Sequence, residues 1–284
     1  MSKVAQVSGL DQKKKGGIGR IIKWLLILLI GIPLVLVGLL FGSIAADAVF
    51  GKSATDFTNV TYAHSDGTTL HGYLAEPPEA GDYPGIIMGH EWWGLNEDIT
   101  LMADALAEEG YVVLVPSAYR EKSTGWVPHA LFLTITSDQD RIEGDFDAGF
   151  DYLQSLSSVN EDSTGMIGFC FGGRQALWMG MREQEMDSIV SLYGGAFTEE
   201  AELADLDKEL PILTIWGETD ASIPVEEVQA MLDVMDDLGL NHESTIYPDL
   251  GHAFVNSENY DDETIGSGQA WDQIVAFFDD TLKE

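Results

Sequence analysis

After residue 57 the chain alternates between two hydrophobic rhythms: short continuous apolar runs, and stretches whose apolar residues fall three or four apart. Gly85-Ile86-Ile87-Met88-Gly89, Tyr111-Val112-Val113-Leu114-Val115 and Gly165-Met166-Ile167-Gly168-Phe169 are runs of the first kind. Residues 188–193, 210–216 and 242–247 supply further strands. A strand buried on both faces requires such unbroken runs. Helical spacing marks three sets: Ile99, Met102, Ala103, Leu106 and Ala107; Ile142, Phe146, Phe150 and Leu153; and Trp271, Ile274, Val275 and Phe278. Residues 60–64 and 69–74 alternate apolar and polar around Asp66-Gly67, a hairpin signal. Strands that alternate with helices predict an α/β fold, a mostly parallel central sheet with helices on both faces. No internal repeat is present, so residues 57–284 are expected to form one domain. Residues 47–56 read as a short linker and 198–209 as an acidic surface excursion.

Residues 24–46 break the rhythm: 23 residues without a charge. As a helix they are long enough to cross the ~30 Å hydrocarbon core of a bilayer. Pro33 and several glycines are compatible with a membrane helix. Lys13, Lys14, Lys15, Arg20 and Lys23 precede the span, and basic flanks stay on the cytoplasmic side. The expectation is a single-pass cell-membrane protein: 1–23 a basic cytoplasmic segment, 24–46 a transmembrane helix, and the larger domain outside. A cleaved signal peptide is the alternative, with Ala46-Asp47-Ala48 as its small-x-small site, although the apolar run exceeds an ordinary signal core.

Charge changes the picture further. The formal net charge is −34, and after residue 50 the chain holds 46 Asp/Glu against 8 Lys/Arg. Such a surface repels nucleic acid and anionic headgroups. Disorder is excluded by the 45% hydrophobic content and the regular strands. We read a hydrated acidic surface suited to high salt, where self-repulsion is screened; an ordinary acidic extracellular domain is the alternative. With a single cysteine, no intramolecular disulfide can form.

That cysteine, Cys170, sits in Gly168-Phe169-Cys170-Phe171-Gly172-Gly173, between the apolar run 165–169 and the helix-compatible Arg174-Gln175-Ala176-Leu177-Trp178-Met179. This is the pattern of a nucleophile elbow, with cysteine where serine is commoner. Glycines are needed because a sharp strand-to-helix turn leaves no room for flanking side chains. The helix N-terminus behind the sulfur favours the thiolate. Downstream, an apolar strand ends at Gly217 and Asp220 follows in its loop; a second strand runs through Ile246-Tyr247 toward His252. Nucleophile, acid, histidine is the chain order of α/β-hydrolases rather than of chymotrypsin or subtilisin.

Together these segments resemble the dienelactone hydrolases. The resemblance rests on the elbow, on Gly217-Glu218-Thr219-Asp220 with Ile223-Pro224, and on Gly251-His252-Ala253-Phe254. It also rests on His90-Glu91-Trp92-Trp93-Gly94-Leu95-Asn96 and Pro116-Ser117-Ala118-Tyr119-Arg120. It runs from about residue 57 to the C-terminus, and it implies an α/β-hydrolase fold preceded by the membrane helix. It also implies Glu91 as the partner of the resting thiol and residues 116–120 as a substrate loop, with Tyr119 and Arg120 as substrate-binding residues. One position departs from the family: a second arginine shortly after the catalytic histidine is replaced here by Asn256. Losing one charged carboxylate contact could cost ~1.5–3 kcal/mol of substrate binding.

The roles expected are these. Cys170 attacks an acyl carbon, His252 takes and returns a proton, and Asp220 orients the imidazole. The backbone N–H groups of Phe171 and Trp92 form the oxyanion hole. A carboxylate at Glu91 beside the thiol favours the protonated form of one of the two, so the nucleophile is activated when substrate rearranges the site. Arg120 is expected to meet a substrate carboxylate, and Trp93 to line the pocket. Because a thiolate leaves a tetrahedral intermediate more readily than a simple alkoxide, the substrate class is an activated ester or lactone. A thioesterase or other acyl hydrolase of envelope components, and a catalytically silent tethered binding domain, are the competing readings. No cofactor is expected: His90-Glu91 lacks the second histidine of a zinc-binding H-E-x-x-H, and the acidic runs lack an EF-hand pattern.

Overall fold

In the computed structural model the described residues are 17–182 and 186–283; Lys13, Lys14 and Lys15, part of the argument for a cytoplasmic N-terminus, lie outside them. The chain divides into two compact units, Met1–Ala46 and Asp47–Glu284. The first unit contains helix α1 (Gly17–Leu26), a π-turn (Ile27–Gly31) and most of α2 (Ile32–Phe50). Pro33 explains the π-turn. Proline has no N–H to give the carbonyl four residues earlier, and the wider turn, closed by Ile32 N–H to the Ile27 carbonyl, takes up the mismatch. The apolar stretch Ile22–Phe50 is 29 residues long with a mean hydropathy of 2.9 in its most apolar window. It is longer at both ends than the expected 24–46, and long and apolar enough to cross a membrane, a property that signal sequences share.

The second unit is built on an eight-stranded sheet in the order β1-β2-β4-β3-β5-β6-β7-β8. Its strands are β1 (Val60–Ala63), β2 (Thr69–Ala75), β3 (Tyr83–Gly89), β4 (Val112–Pro116), β5 (Val159–Phe169), β6 (Ser188–Leu192), β7 (Ile212–Gly217) and β8 (His242–Tyr247). β2 runs antiparallel to β1 and to β4, and the other five pairings are parallel. The hairpin reading of β1 and β2 holds, with Gly67 at a positive φ of 85° in the turn. β4, β6 and β7 are buried at every residue, as their unbroken apolar runs require.

Helices cover both faces of this sheet: α3 (Glu97–Glu108), α4 (Val127–Thr136), α5 (Gln139–Gln154), α6 (Phe171–Arg182), α7 (Val225–Leu238) and α8 (Gly266–Leu282). A Cβ on Gly85 would meet Leu153 of α5, whereas one on Gly165 would meet Phe278 and Leu282 of α8. Gly85 is in register with Thr164, not Gly165, so these two glycines point to opposite sides of the pleat. This is the α/β-hydrolase fold. The chain winds from β3 toward β4 in one direction and from β5 toward β8 in the other. The order therefore reverses between β3 and β5, and the loops at their C-terminal ends diverge to leave a crevice there.

Two boundaries differ from expectation. Residues 47–56 belong to the second unit rather than forming a free linker: Ala54 is fully buried, and Ser53 Oγ donates to the Glu121 carbonyl at 2.7 Å. Residues 198–209 are acidic but not wholly superficial, since Leu203 and Leu206 pack into the core. An acidic composition hides these two anchors because a single pair of leucines three apart, among acids, is too short a run to set a period.

Candidate active site

The elbow forms where β5 meets α6. Cys170 is at a positive φ of 54°, a left-handed conformation costing ~1–2 kcal/mol in a residue with a Cβ. It is held by Cys170 N–H to the Leu192 carbonyl, 3.0 Å, and by packing of glycines. A Cβ at Gly168 would lie 2.0 Å from the Gly172 carbonyl oxygen, and one at Gly172 would lie 2.2 Å from that of Gly89. β3, β5 and α6 thus close on one another at a distance only glycine permits.

Asp220 and His252 follow β7 and β8, which are neighbours in the sheet. Their loops are laced together, Thr219 N–H donating to the Leu250 carbonyl at 2.8 Å and Glu218 N–H to the Tyr247 carbonyl at 2.9 Å. Asp220 is buried. Its Oδ1 accepts from the N–H groups of Ser222 (2.7 Å) and Ile223 (3.1 Å), which leaves Oδ2 for His252 Nδ1 at 2.7 Å. With Nδ1–H engaged, the proton-accepting nitrogen of His252 is Nε2. The ring of Tyr193 packs against His252 with centroids 5.1 Å apart, and its hydroxyl donates to the Val255 carbonyl at 3.0 Å, fixing the next part of the same loop.

The loop after β3 supplies Glu91, Trp92 and Trp93. Asn96 caps α3, accepting from Ile99 N–H at 3.2 Å, and Asp98 in the first turn accepts from Ser257 N–H at 2.9 Å. These contacts tie the β3 loop to the segment after His252. The loop's other anchor is His90, a fully buried residue. Ala118 N–H donates to His90 Nε2 (3.1 Å), so Nδ1 carries the proton and donates to the Glu91 carbonyl (2.6 Å). Burial brings the His90 pKa down to about 4, so the ring stays neutral. Sequence reasoning passed over His90 and Tyr193; the adjacency of His90 to Glu91 was the one available signal.

Electrostatics at the sulfur oppose the expectation that the α6 N-terminus favours the thiolate. Burial first, and then the Glu91 carboxylate, push the Cys170 thiol up to about 12; the backbone N–H groups of Phe171 and Trp92 act in the opposite direction without prevailing. Glu91 is itself raised by burial, an effect that the nearby His252 offsets in part. Cys170, Glu91, His252 and Asp220 therefore form one electrostatic group.

The three residues expected to bind substrate are placed differently. Trp93 walls a cavity of about 770 Å³ beside Glu91 and Phe169, bounded also by Lys52, Phe57 and Val255. Tyr119 is buried, its ring against Phe171 and its hydroxyl 3.1 Å from Thr134 Oγ1. Arg120 does not wall that cavity. Its guanidinium grips the buried carboxylate of Asp145 through two bonds, Nε to Oδ2 at 3.0 Å and Nη2 to Oδ1 at 3.1 Å, and Arg141 donates to the same carboxylate at 2.6 Å. The expectation that Arg120 awaits a substrate carboxylate meets a fork already filled from α5. Asn256 turns inward on its own loop, where its Oδ1 accepts from Glu258 N–H at 3.1 Å. Among the described residues, no three His, Cys, Asp or Glu side chains are grouped as a metal would need.

Comparison with known proteins follows the same lines. The model of the dienelactone hydrolase family matches residues 70–282. Two curated relatives carry the name "Putative carboxymethylenebutenolidase". That of Synechocystis is 28% identical over 75% of this chain and 93% of its own length, and that of Aquifex aeolicus is 27% identical over 77% and 96%. The crystal structure of a "Putative Dienelactone Hydrolase" from Klebsiella pneumoniae superposes with a TM-score of 0.67 at 23% identity, over 77% of this chain and 97% of that one.

Proposed function

From the membership of this chain in the dienelactone hydrolase family, a family of carboxylic ester and lactone hydrolases, we propose that it cleaves an activated, uncharged ester or lactone through Cys170, His252 and Asp220. The observation that carries the reading is the 2.7 Å bond from His252 Nδ1 to a buried Asp220, in a site whose elbow thiol sits at a positive φ of 54°. Cys170 Sγ bonds to the acyl carbon as its proton passes to His252 Nε2. The carbonyl electron pair moves onto oxygen, which accepts hydrogen bonds from Phe171 and Trp92 N–H. Collapse breaks the carbon–oxygen bond, and His252 returns its proton to the departing alkoxide. Water then attacks the acyl-cysteine, giving a proton to His252, and the departing thiolate recovers it. Glu91 and burial hold the thiol neutral until substrate enters and displaces that balance.

Charge selects among substrates. The cavity wall carries Glu91, Glu97, Asp98 and Glu258 against one cation, Lys52, whose ammonium lies 3.7 Å from Glu97. With Arg120 held by Asp145 and Asn256 in place of the family arginine, an anionic substrate meets Lys52 alone among the cations of the described wall, against four carboxylates. We assign residues 22–50 as a membrane anchor with the catalytic unit on the outer side. Cleavage at Ala46-Asp47-Ala48 would release Asp47, which accepts a 2.7 Å hydrogen bond from His129 in that unit. The substrate reading is tested by kcat/KM for a neutral enol lactone against a carboxylate-bearing dienelactone, in high salt. The neutral substrate should be preferred about tenfold or more, ~1.4 kcal/mol; preference for the carboxylate would overturn the uncharged assignment, and turnover of neither would overturn the hydrolase reading.

A further inference from the structure

Helix α4 presents an apolar face to solvent in the midst of an acidic surface. His129, Ala130 and Leu133 are buried beneath it. Val127, Leu131 and Ile135, spaced four apart, share the opposite side with Phe132, and Ile135 is 72% exposed. Trp126 at the helix entrance is 46% exposed. Residues 123–137 contain no Asp, Glu, Lys or Arg, in a chain that holds 46 acids after residue 50. Scattered exposed apolar residues need no explanation, but a contiguous uncharged patch does.

A second observation says what covers it. Asp47 belongs to the same compact unit as α4 and lies in the last turn of α2, which ends at Phe50. Its carboxylate accepts from His129 Nδ1 at 2.7 Å and from the Thr124 hydroxyl. Val49 and Phe50 in that turn are exposed, Phe50 by 85%. The polar underside of α4 is thus fastened to the end of the apolar helix, and the end of a spanning helix is where a bilayer meets water.

We propose that α4, with Trp126 at its entrance, lies in the headgroup layer of the bilayer as a second membrane contact beside the anchor. The proposal rests on the reading of residues 22–50 as an anchor. The ingredients of an interfacial helix are present: an apolar face, no acids to repel headgroups, and a tryptophan at the boundary. Basic residues, the usual contribution to anionic lipid, are absent from 123–137, so the contact is hydrophobic and suits zwitterionic lipid. Ser123, Thr124 and Gly125 also wall the cavity beside Glu91, so the membrane contact and the candidate active site share a segment.

The test uses the full chain with Cys170→Ser, reconstituted in phosphatidylcholine vesicles and carrying one added cysteine labelled with an environment-sensitive fluorophore. Ile135→Cys reports on α4, Leu131→Cys repeats it at a second exposed position, Leu36→Cys reports on the anchor, and Ile265→Cys, at the entrance of α8, is an exposed reference outside both. Doxyl groups on the lipid chains should quench the labels at residues 36, 131 and 135 several-fold more than at 265. The quenching at 131 and 135 should persist in high salt. Quenching at 36 but not at 131 or 135 would overturn the α4 contact and leave the anchor standing. Quenching at 131 and 135 without 36 would support the contact and remove the anchor. A blue-shifted label at 131 and 135 that lipid quenchers do not touch would mean a protein partner or a second copy, and would overturn the proposal.

Discussion

Replacing Glu91 by glutamine should make Cys170 more reactive toward an alkylating agent, although it removes a candidate site residue. The substitution preserves shape and removes one negative charge from the surroundings of a thiol that burial and that charge together push up to about 12. A like charge a few ångströms away is worth ~1–3 pKa units. At a pH far below the thiol pKa, the thiolate fraction should rise by the same one to three powers of ten. Part of the gain is returned, because nucleophilicity falls with basicity along a Brønsted slope of ~0.4–0.5. The net acceleration is therefore ~3- to 60-fold. Iodoacetamide labelling followed by mass spectrometry measures it without ambiguity, since Cys170 is the only cysteine. The pH profile carries a second check. Glu91 is raised by burial, and a protonated carboxyl bears no charge, so the two proteins should converge as pH falls through the Glu91 pKa. Equal or slower alkylation of Glu91→Gln at neutral pH would refute the electrostatic account of the resting thiol.

Two further outcomes follow from other parts of the structure. Arg120→Ala should lower stability by ~1–3 kcal/mol, the cost of taking one of two guanidinium partners from the buried Asp145 carboxylate, measured by urea unfolding, and should reduce turnover of neutral and charged esters alike. A selective loss on carboxylate substrates would reinstate Arg120 as a substrate contact. Raising salt from ~0.01 to ~1 M shortens the screening length from ~30 to ~3 Å and should raise Tm substantially, equally for sodium and potassium chloride; an unchanged Tm would remove self-repulsion as a property of the acidic surface.

The elements that a one-dimensional pattern can encode were legible. The strands over 85–89, 111–115 and 165–169 announce themselves because both faces are buried, and Cys170 because an elbow demands glycine at fixed offsets. The strand order was not legible in detail: the reversal between β3 and β5 is a pairing of segments nearly eighty residues apart. α4 escaped because apolar residues lie on both its buried and its exposed sides, Ala130 and Leu133 on one and Leu131 and Ile135 on the other, so no alternation of apolar and polar positions sets a period. α7 did carry a signal, Val228, Met231 and Met235 at helical spacing, which the reading overlooked. Arg120 shows the limit for single residues. A motif placed it in a substrate loop, but its partner Asp145 lies on α5, and nothing local to either residue joins them. The thiol's resting state likewise depends on which of two opposing effects prevails, the helix N-terminus or burial beside Glu91, and only the packed site decides that.

The central claim is that Cys170 carries the acyl group. Rapid acid quenching of the full-length protein during turnover of p-nitrophenyl acetate, followed by peptide mass analysis, tests it directly. The account predicts one acetyl group on the peptide containing Cys170, formed at least as fast as steady-state turnover and discharged as fast when substrate is exhausted, with no hydrolysis by Cys170→Ala. Hydrolysis by Cys170→Ala at the wild-type rate, or turnover without acetyl on Cys170 when deacylation is slowed by low pH, would contradict it.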